Sequence, residues 1–347
     1  MNIARDQSKA LICWNMPLHI IRYKRENEIG WAAKTDEVFV SVSNEPSLGS
    51  FLQDYKPRSF QSQLASGGSK VFKRGEIEVL SPVTSPCSIV CQGKNYMDHV
   101  IETGASPRSV GNNIFFSKAH SAIMPSQGVL YRPQGVRLLD YEVELGLVLG
   151  KTIRDPISLR PDELGKAFAG VVMGNDISAR DIQLTKGQWF HGKSFRGFCP
   201  IGPYLCLLEE NEWPKIDGLQ LELTVNGEVR QRARVSQMLH KPAQTISELS
   251  TFLDFAPGDL VLTGTPGGVA MNIGNSLYSR LVAAFSSPGQ NNSRFLHTQL
   301  KCNRYLKDGD VIRASIKGDD RYIDLGIQEV EIKGQPPGGF ESVPDNP

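Results

Sequence analysis

Two glutamates stand two residues apart at the start of an apolar run. Glu142 and Glu144 belong to DYEVELGLVLG, in which almost every later residue is apolar. Alternate residues of a β-strand share a face, so both carboxylates would point the same way at the rim of a core. Like charges in that position repel each other and resist desolvation. A hard divalent cation such as Mg²⁺, Mn²⁺ or Ca²⁺ would relieve both problems. A solvated edge strand is the alternative, and the motif alone slightly favours it.

A third carboxylate ends another apolar run. Asp176 lies in GNDISARDIQ, directly after residues typical of a buried strand, and Arg180 follows in a turn or a helix start. The ends of buried strands often display ligands and catalytic groups. Asp176 would also suit an N-cap or a turn, so this segment taken by itself leaves both interpretations open.

A histidine and a glutamate are three residues apart in NYMDHVIETG. His99 and Glu102 would share one face of a helix, where their side chains can touch. A carboxylate orients an imidazole ring and raises its basicity, which makes a usable general base near neutral pH. A pair of this kind is more often an exposed surface pair.

Two lysines and a glycine-rich loop complete the candidates. Lys193 lies among aromatic residues in QWFHGKSF, and Lys118 lies in FFSKAHS. Lysines in such places can hold a carboxylate or an enolate oxygen, although each segment taken alone favours an exposed loop lysine. TGTPGGVA contains Thr265 and could present backbone N–H groups to an anion. It lacks the spacing of a phosphate loop, and a structural turn remains the alternative.

The elements that would position these residues are mostly strands. Alternating patterns predict a β-rich α+β fold, with short strands near the start of the chain at roughly 19–24, 29–33 and 37–42. Asn226-Gly227 predicts a tight hairpin. SELSTFLDF predicts a helix over 247–255. We predict a small N-terminal β domain plus linker over 1–78, a catalytic domain over 79–333, and a disordered tail over 334–347 that is rich in Pro and Gly.

The composition is that of an ordinary globular chain. The 347 residues carry a net charge of +1, which gives no reason to expect nucleic acid or an acidic membrane surface as a partner. No apolar run approaches the length needed to span a bilayer. The six cysteines lack zinc-ligand spacing. We therefore predict a cytoplasmic protein with reduced cysteines.

The order of these motifs resembles the fumarylacetoacetate hydrolase family. The resemblance covers roughly residues 80–330, and IIRYKRENEIGW resembles the small N-terminal β domain of the same family. The matching blocks, in chain order, are GKNYMDH, FFSKAHSAI, DYEVELGLVLGK, NDISARDIQ, QWFHGKSF, LTVNGEVRQ, PGDLVLTGTPGGV and LKDGDVI.

The resemblance implies a mixed β-roll, a homodimer and a bound Mg²⁺ or similar ion. It assigns the metal to Glu142, Glu144 and Asp176, and a catalytic pair to His99 and Glu102. Lys193 is assigned to catalysis. The resemblance also places Gln183 and Thr265 at the substrate, and we predict Lys118 and Arg180 as further substrate-binding residues.

Two departures from the family pattern stand out. True fumarylacetoacetate hydrolases carry a fourth carboxylate where this chain has Asn95. Most members also pass from TGTP to the last strands in a few residues, whereas this chain inserts residues 271–305. The first departure puts fumarylacetoacetate itself in doubt as the substrate.

The function predicted first is Mg²⁺-dependent hydrolysis of a C–C bond in a β-dicarbonyl or acylpyruvate-type keto acid, through an enolate. A decarboxylase or keto–enol tautomerase of a small keto acid such as oxaloacetate is the second prediction, because these reactions share the enolate. A non-catalytic metal-binding protein is the third. In each enzymatic case the partner is a small anionic keto acid.

Overall fold

A computed structural model describes residues 17–35, 38–54, 69–103, 113–186, 188–272 and 296–336. Strands dominate these ranges, as the sequence predicts. They are β1 (Leu18–Arg25), β2 (Glu28–Lys34), β3 (Phe39–Ser43), β4 (Val71–Phe72), β5 (Glu78–Leu80), β6 (Ile89–Gly93), β7 (Ile114–Lys118), β8 (Ile123–Pro125), β9 (Gln127–Arg132), β10 (Leu139–Asp140), β11 (Val143–Leu149), β12 (Phe168–Asn175), β13 (Ser178–Ala179), β14 (Cys199–Leu207), β15 (Gln220–Val225), β16 (Glu228–Arg234), β17 (Leu260–Leu262), β18 (Val311–Lys317) and β19 (Asp324–Gly334).

The helices of the described ranges are short. The α-helices are α1 (Leu48–Asp54), α2 (Met97–Glu102), α3 (Arg180–Thr185), α4 (Trp189–Lys193) and α5 (Pro242–Leu249). The 3₁₀ helices cover Arg74–Glu76, His120–Ala122, Pro161–Lys166, Glu210–Gly218 and Val235–Gln237. In these ranges no helix is both long and apolar enough to cross a bilayer.

One large mixed sheet forms the centre of the fold. Its strands run in the order β4-β3-β2-β1-β14-β12-β11-β17-β6-β7, with β5 paired to β1 and β8 paired to β14. The N-terminal strands join it because β1 pairs antiparallel with β14, with Leu18 opposite Leu207. The first strands of the chain therefore extend the sheet that carries the candidate site. A domain boundary at residue 78 stays a prediction.

A smaller sheet has the order β16-β15-β18-β19-β9. The predicted Asn226-Gly227 hairpin is confirmed, because it joins β15 to β16 with Val225 opposite Glu228. Both turn residues have positive φ values, 52° and 82°, as a type I′ turn requires. This hairpin matters for the site because Gln231 of β16 reaches the glycine-rich loop of the larger sheet.

Two antiparallel strands bring the predicted acidic residues together. Every residue of β11 is buried, which confirms that this strand enters a core. It pairs with β12 so that Glu144 is opposite Gly174. Just beyond this ladder the Asp176 N–H donates to the Glu142 carbonyl at 2.8 Å. The strand pairing therefore places the end of one apolar run beside the start of the other.

The predicted helix over 247–255 begins and ends earlier than the sequence indicates. Helix α5 covers Pro242–Leu249. Pro242 favours a helix start because its φ is fixed near the helical value, and the Lys241 N–H donates to Gln244 Oε1. Of the insertion, residues 273–295 lie outside the described ranges. Residues 296–299 are helical, and the predicted tail lies outside the described ranges from residue 337.

Candidate active site

The three carboxylates predicted as metal ligands form one buried cluster. One oxygen from each of Glu142, Glu144 and Asp176 lies within 4.8 Å of the other two. Their exposed fractions are 4%, 1% and 0%. The interpretation of the glutamate pair as a solvated edge is therefore wrong, because β11 has a neighbouring strand on each side.

Three cations surround this cluster: Lys118, Arg180 and Lys193. Lys193 Nζ donates to Glu142 Oε2 at 2.6 Å and also to Asp176. Arg180 donates through Nη2 to Glu142 and through Nε to Asp140 Oδ2 at 2.8 Å. Because every one of these charges is buried, each contact offsets part of a large desolvation cost.

Glu144 is the carboxylate with the fewest compensating contacts. Its Oε2 accepts the Gly264 N–H at 2.8 Å. Burial, followed by the nearby charges of Asp176 and Glu142, raises the pKa of Glu144 well above the usual value for glutamate. Glu142 differs: burial opposes its ionisation, but Arg180 and Lys193 outweigh that effect and lower its pKa.

The donor set fits a divalent cation. The described cluster lacks one positive charge, because its four carboxylates face only three cations. The carboxylates are Asp140, Glu142, Glu144 and Asp176, and the cations are Lys118, Arg180 and Lys193. Mg²⁺ and Ca²⁺ bind oxygens at about 2.0–2.6 Å, so one ion spans oxygens about 4–5 Å apart. Such an ion would also remove the repulsion between the Glu144 carboxylate and those of Asp176 and Glu142.

The predicted histidine–glutamate pair lies on α2. His99 Nδ1 is 4.0 Å from Glu102 Oε2, and it is buried with no hydrogen-bond partner among the described residues. Both Glu102 oxygens accept the Gly268 N–H, each at 2.9 Å. The separation of 4.0 Å between His99 and Glu102 is longer than a hydrogen bond, but catalytic hydrogen bonds are often long without ligand, so the two side chains are close enough to form one.

One cavity of about 100 Å³ joins the two groups. Glu142, Glu144 and His99 line it, together with the predicted residues Arg180, Gln183, Lys193 and Thr265. Its apolar lining consists of Phe116, Leu184, Trp189 and Met271. The cavity therefore has one charged region and one apolar region.

The predicted substrate-binding residues Gln183 and Thr265 differ in whether they have a free hydrogen-bond donor. Gln183 Oε1 accepts from Arg180 Nη1 at 2.9 Å, which leaves its amide NH₂ group facing the cavity as a donor. Thr265 lines the cavity, but its hydroxyl donates to the Val143 carbonyl and accepts from Gln231 Nε2. The hydroxyl proton of Thr265 is therefore already engaged.

Lys118 lies behind the cluster. Its Nζ donates to Asp176 Oδ1 at 2.5 Å and to the Ile177 carbonyl at 3.3 Å, and its side chain is fully buried. It is not among the cavity-lining residues. These contacts favour a role in holding Asp176 over direct contact with substrate.

Sequence comparison identifies the family to which this site belongs. The profile described as Fumarylacetoacetate (FAA) hydrolase C-terminal matches residues 88–332. The chain belongs to the fumarylacetoacetate hydrolase family. The predicted β-rich α+β fold is confirmed by the strand content and by structural neighbours in this family.

Individual family members show how far the similarity extends. Protein Rv2993c of Mycobacterium tuberculosis is 36% identical over 197 residues, which is 56% of this chain and 70% of the relative. Human mitochondrial oxaloacetate tautomerase FAHD2A is 38% identical over 205 residues, or 58% of this chain and 62% of the relative. The match thus spans about three fifths of the tautomerase.

A solved structure supports the same assignment. The fumarylacetoacetate hydrolase of Exiguobacterium antarcticum superposes with a TM-score of 0.67 at 26% identity. The superposition covers 92% of this chain and 100% of that chain. Nearly all of this family member therefore follows an architecture seen in a fumarylacetoacetate hydrolase.

Asn95 is the residue predicted to stand in place of a fourth carboxylate. Its amide donates to the carbonyls of Thr263 and His240 and to Gln92 Oε1, while its Oδ1 accepts the His240 N–H. Every polar atom of the side chain is engaged. Asn95 therefore ties the start of α2 to the loops behind it, and no fourth carboxylate arises there.

Asp140, Gln231 and Lys94 belong to the site but were not predicted from the sequence. Asp140 accepts from the N–H groups of Ala270 and Met271 as well as from Arg180. It shares strand parity with Glu142 and Glu144, a signal that could have revealed it. Gln231 belongs to the other sheet and gave no local signal. Lys94 lines the cavity with a φ of 56°, a backbone region that lysine rarely adopts.

Proposed function

We propose that this protein is a divalent-cation-dependent enzyme that moves a proton at the carbon beside the keto group of a small keto acid. The preferred reaction is keto–enol tautomerisation of an oxaloacetate-type dicarboxylate. One observation carries the proposal: His99 lines the same small cavity as two carboxylates of the buried acidic cluster. The tautomerases among the relatives support this order of reactions.

The ion would be held by the three clustered carboxylates. Mg²⁺ is the first candidate, and Mn²⁺ or Ca²⁺ would suit the same oxygen ligands. When bound, a divalent ion withdraws electron density from a keto oxygen and so makes the neighbouring C–H bond more acidic. Arg180 and Lys193 hold Glu142 ionised, so that it is available as a ligand.

His99 is the residue that would carry the proton. Its Nδ1 faces Glu102, which leaves Nε2 to accept a proton from substrate carbon and return it to oxygen. Glu102 is held by the Gly268 N–H, and its Oε2 lies 4.0 Å from His99 Nδ1, where it can orient the ring. The free NH₂ group of Gln183 provides a hydrogen bond to a substrate oxygen.

The size of the cavity limits the substrate. Sites for drug-sized ligands measure about 300–1,000 Å³, whereas this cavity measures about 100 Å³. The substrate is therefore compact. A small keto acid fits such a space, with its oxygens toward the charged lining and its carbon chain toward Phe116 and Trp189.

Hydrolysis of a C–C bond in an acylpyruvate-type keto acid is the second candidate. The His99–Glu102 pair favours it, because an oriented imidazole can also take a proton from an attacking water. Decarboxylation shares the enolate and needs no such water. The predicted homodimer and cytoplasmic location stay predictions, as does the small anionic keto acid partner.

A substrate panel tests the proposed function. Oxaloacetate supplied as its enol and acetylpyruvate would be followed by ultraviolet absorbance and product analysis, with Mg²⁺ and with excess chelator. We expect Mg²⁺-dependent conversion of enol to keto oxaloacetate. Acid pairs from acetylpyruvate without tautomerisation would favour the hydrolase instead. No turnover of any substrate by Mg²⁺-loaded protein would overturn the proposal.

Lys94 provides a test of the dicarboxylate. Its side chain is half-buried, burial lowers its pKa, and it has no ion-pair partner in the described part of the chain. A second carboxylate on the substrate would provide Lys94 with an ion-pair partner. We expect Lys94→Met to raise KM for oxaloacetate about tenfold, equivalent to about 1.4 kcal/mol. KM for a keto acid with one carboxylate should change little.

The matched control for this prediction is Lys94→Arg, which keeps the charge at the same backbone position. It should retain a KM close to that of the wild type. Equal increases in KM for both classes of keto acid would show that Lys94 supports the cavity without recognising a second carboxylate.

A further inference from the structure

Gly268 lies at a close crossing of the two sheets. Its φ is +105°, and a Cβ atom there would lie 1.9 Å from the Arg230 carbonyl oxygen of β16. The residue therefore has to be glycine, and β16 bounds it on one side. Its N–H points away from that strand and donates to both oxygens of Glu102 at 2.9 Å.

Two side chains hold the carbonyl group of the same glycine. Arg304 Nη2 donates to it at 2.7 Å, and the Tyr141 hydroxyl donates at 3.2 Å. A carbonyl oxygen has two lone pairs, so these two donors use its full capacity. Gly268 is thus fixed through its oxygen, while its nitrogen fixes Glu102.

Arg304 belongs to the segment that returns from the insertion. This return segment, residues 296–306, packs against the loop that bounds the cavity. Gln299 Nε2 donates to the Asn272 carbonyl at 2.8 Å, and the Leu306 N–H donates to the Leu139 carbonyl at 2.9 Å. These bonds hold both ends of the return segment. They place Arg304 beside the Gly268 carbonyl.

We propose that Arg304 is a positioning residue for the His99–Glu102 pair, which gives the insertion a part in catalysis. The inference rests on the proposed function, since it assumes that His99 carries the proton. The contacts run in series from Arg304 to the Gly268 carbonyl, from the Gly268 N–H to Glu102, and from Glu102 to His99 Nδ1. Arg304 touches neither the acidic cluster nor the cavity, so substrate binding does not depend on it.

The charge of Arg304 adds a second effect. The guanidinium is half-buried, and its Nε has no hydrogen-bond partner among the described residues. Desolvation opposes the charged form, yet Tyr141 and then Glu102 raise the pKa of Arg304 above its usual value. A fixed cation at this place attracts the Glu102 carboxylate toward the Gly268 N–H. Arg304 therefore restricts where that carboxylate can lie.

The test compares Arg304→Met with Lys301→Met in the full-length, Mg²⁺-loaded protein. Lys301 is an exposed cation of the same return segment, and its backbone N–H donates to the Thr298 carbonyl. We expect Arg304→Met to lower kcat about tenfold or more, because a misplacement of about 1 Å can cost roughly 100-fold. KM and the Mg²⁺-dependent rise in Tm should stay within error of the wild type, and Lys301→Met should leave kcat unchanged.

Two further variants separate positioning from folding. Arg304→Lys keeps a cation that can donate to the Gly268 carbonyl, and we expect it to recover most of kcat. Tyr141→Phe removes the other donor while keeping the ring, and should lower kcat less. In the double variant, the two effects should be less than additive because both act through one carbonyl.

Amide hydrogen exchange makes the test independent of substrate. Arg304→Met should speed exchange in peptides covering 97–103 and 264–272, with no change elsewhere in the sheets. A kcat equal to that of Lys301→Met, a parallel loss in KM, or unchanged exchange in both peptides would overturn the role of Arg304. If the wild type turned over no keto acid, the proposed function would fail, and exchange would still decide whether Arg304 holds this arrangement.

Discussion

Glu144→Gln should abolish the response of this protein to divalent cations while leaving the fold intact. A ligand at 100 times its Kd stabilises a protein by about 2.7 kcal/mol, a rise in Tm of roughly 4 °C for a chain of this size. We expect Mg²⁺ to produce such a shift in the wild type and none in the variant. Since the ion supplies several kcal/mol of stabilisation to the reacting oxygen, kcat should fall about 1,000-fold.

The same substitution should not destabilise the metal-free protein. Glutamine has the shape of glutamate, and it removes one of three crowded negative charges. Its amide oxygen can still accept the Gly264 N–H. The expected Tm without metal is therefore equal to or above that of the wild type, whereas simple structural damage would lower it.

Glu212→Gln provides the matched control. Glu212 is a buried glutamate whose hydrogen bonds come from the Tyr322 hydroxyl and the Glu209 N–H and involve no residue of the acidic cluster. Its replacement should leave the Mg²⁺-dependent shift and kcat intact. An undiminished Mg²⁺ shift in Glu144→Gln would contradict the metal site, because that variant lacks one of its three ligands.

His99→Asn should remove proton transfer and spare metal binding. General acid–base catalysis by a positioned side chain contributes about 100- to 10,000-fold, so kcat should fall within that range. The acidic cluster does not depend on His99 for its hydrogen bonds, so the Mg²⁺-dependent rise in Tm should persist. Steady-state kinetics and thermal unfolding of the same preparation measure both effects.

Two further variants serve as comparisons for this result. His120→Asn replaces an exposed histidine outside the cavity and should leave kcat unchanged. Glu102→Gln keeps the hydrogen bond from Gly268 but loses the charge beside His99, so a smaller loss is expected. Retention of more than about a tenth of kcat by His99→Asn would assign the proton to another group.

The acidic cluster was accessible from the sequence because its information is local. The period of a strand places Glu142 and Glu144 on one face, and the apolar run after them predicts burial. Asp176 needed the resemblance, since one aspartate at a strand end has several explanations. The structure joins the two segments through the antiparallel pairing of β11 with β12, and the Asp176 N–H donates to the Glu142 carbonyl just beyond this ladder.

The roles of the cations were harder to predict, because they depend on contacts distant in sequence. Nothing near Lys118 indicates that it bonds to Asp176, 58 residues away. The same holds for Gln231, which crosses between sheets to reach Thr265. Gly268 was visible only as part of a glycine-rich loop. The need for glycine at this position follows from its positive φ and from the close approach of the Arg230 carbonyl, and sequence patterns encode neither.

The pairing of β1 with β14 affects how the chain acquires its structure during synthesis. Leu18–Arg25 leaves the ribosome about 175 residues before Cys199–Leu207, the strand that covers one of its edges. At about 5–20 residues per second the wait is roughly 10–35 s. Throughout that interval the Leu18–Ile20 part of β1 has no partner on its β14 side, because β5 pairs there only with Arg22–Lys24. A nascent chain with an open, partly apolar edge is a natural client for a chaperone that shields unpaired strands.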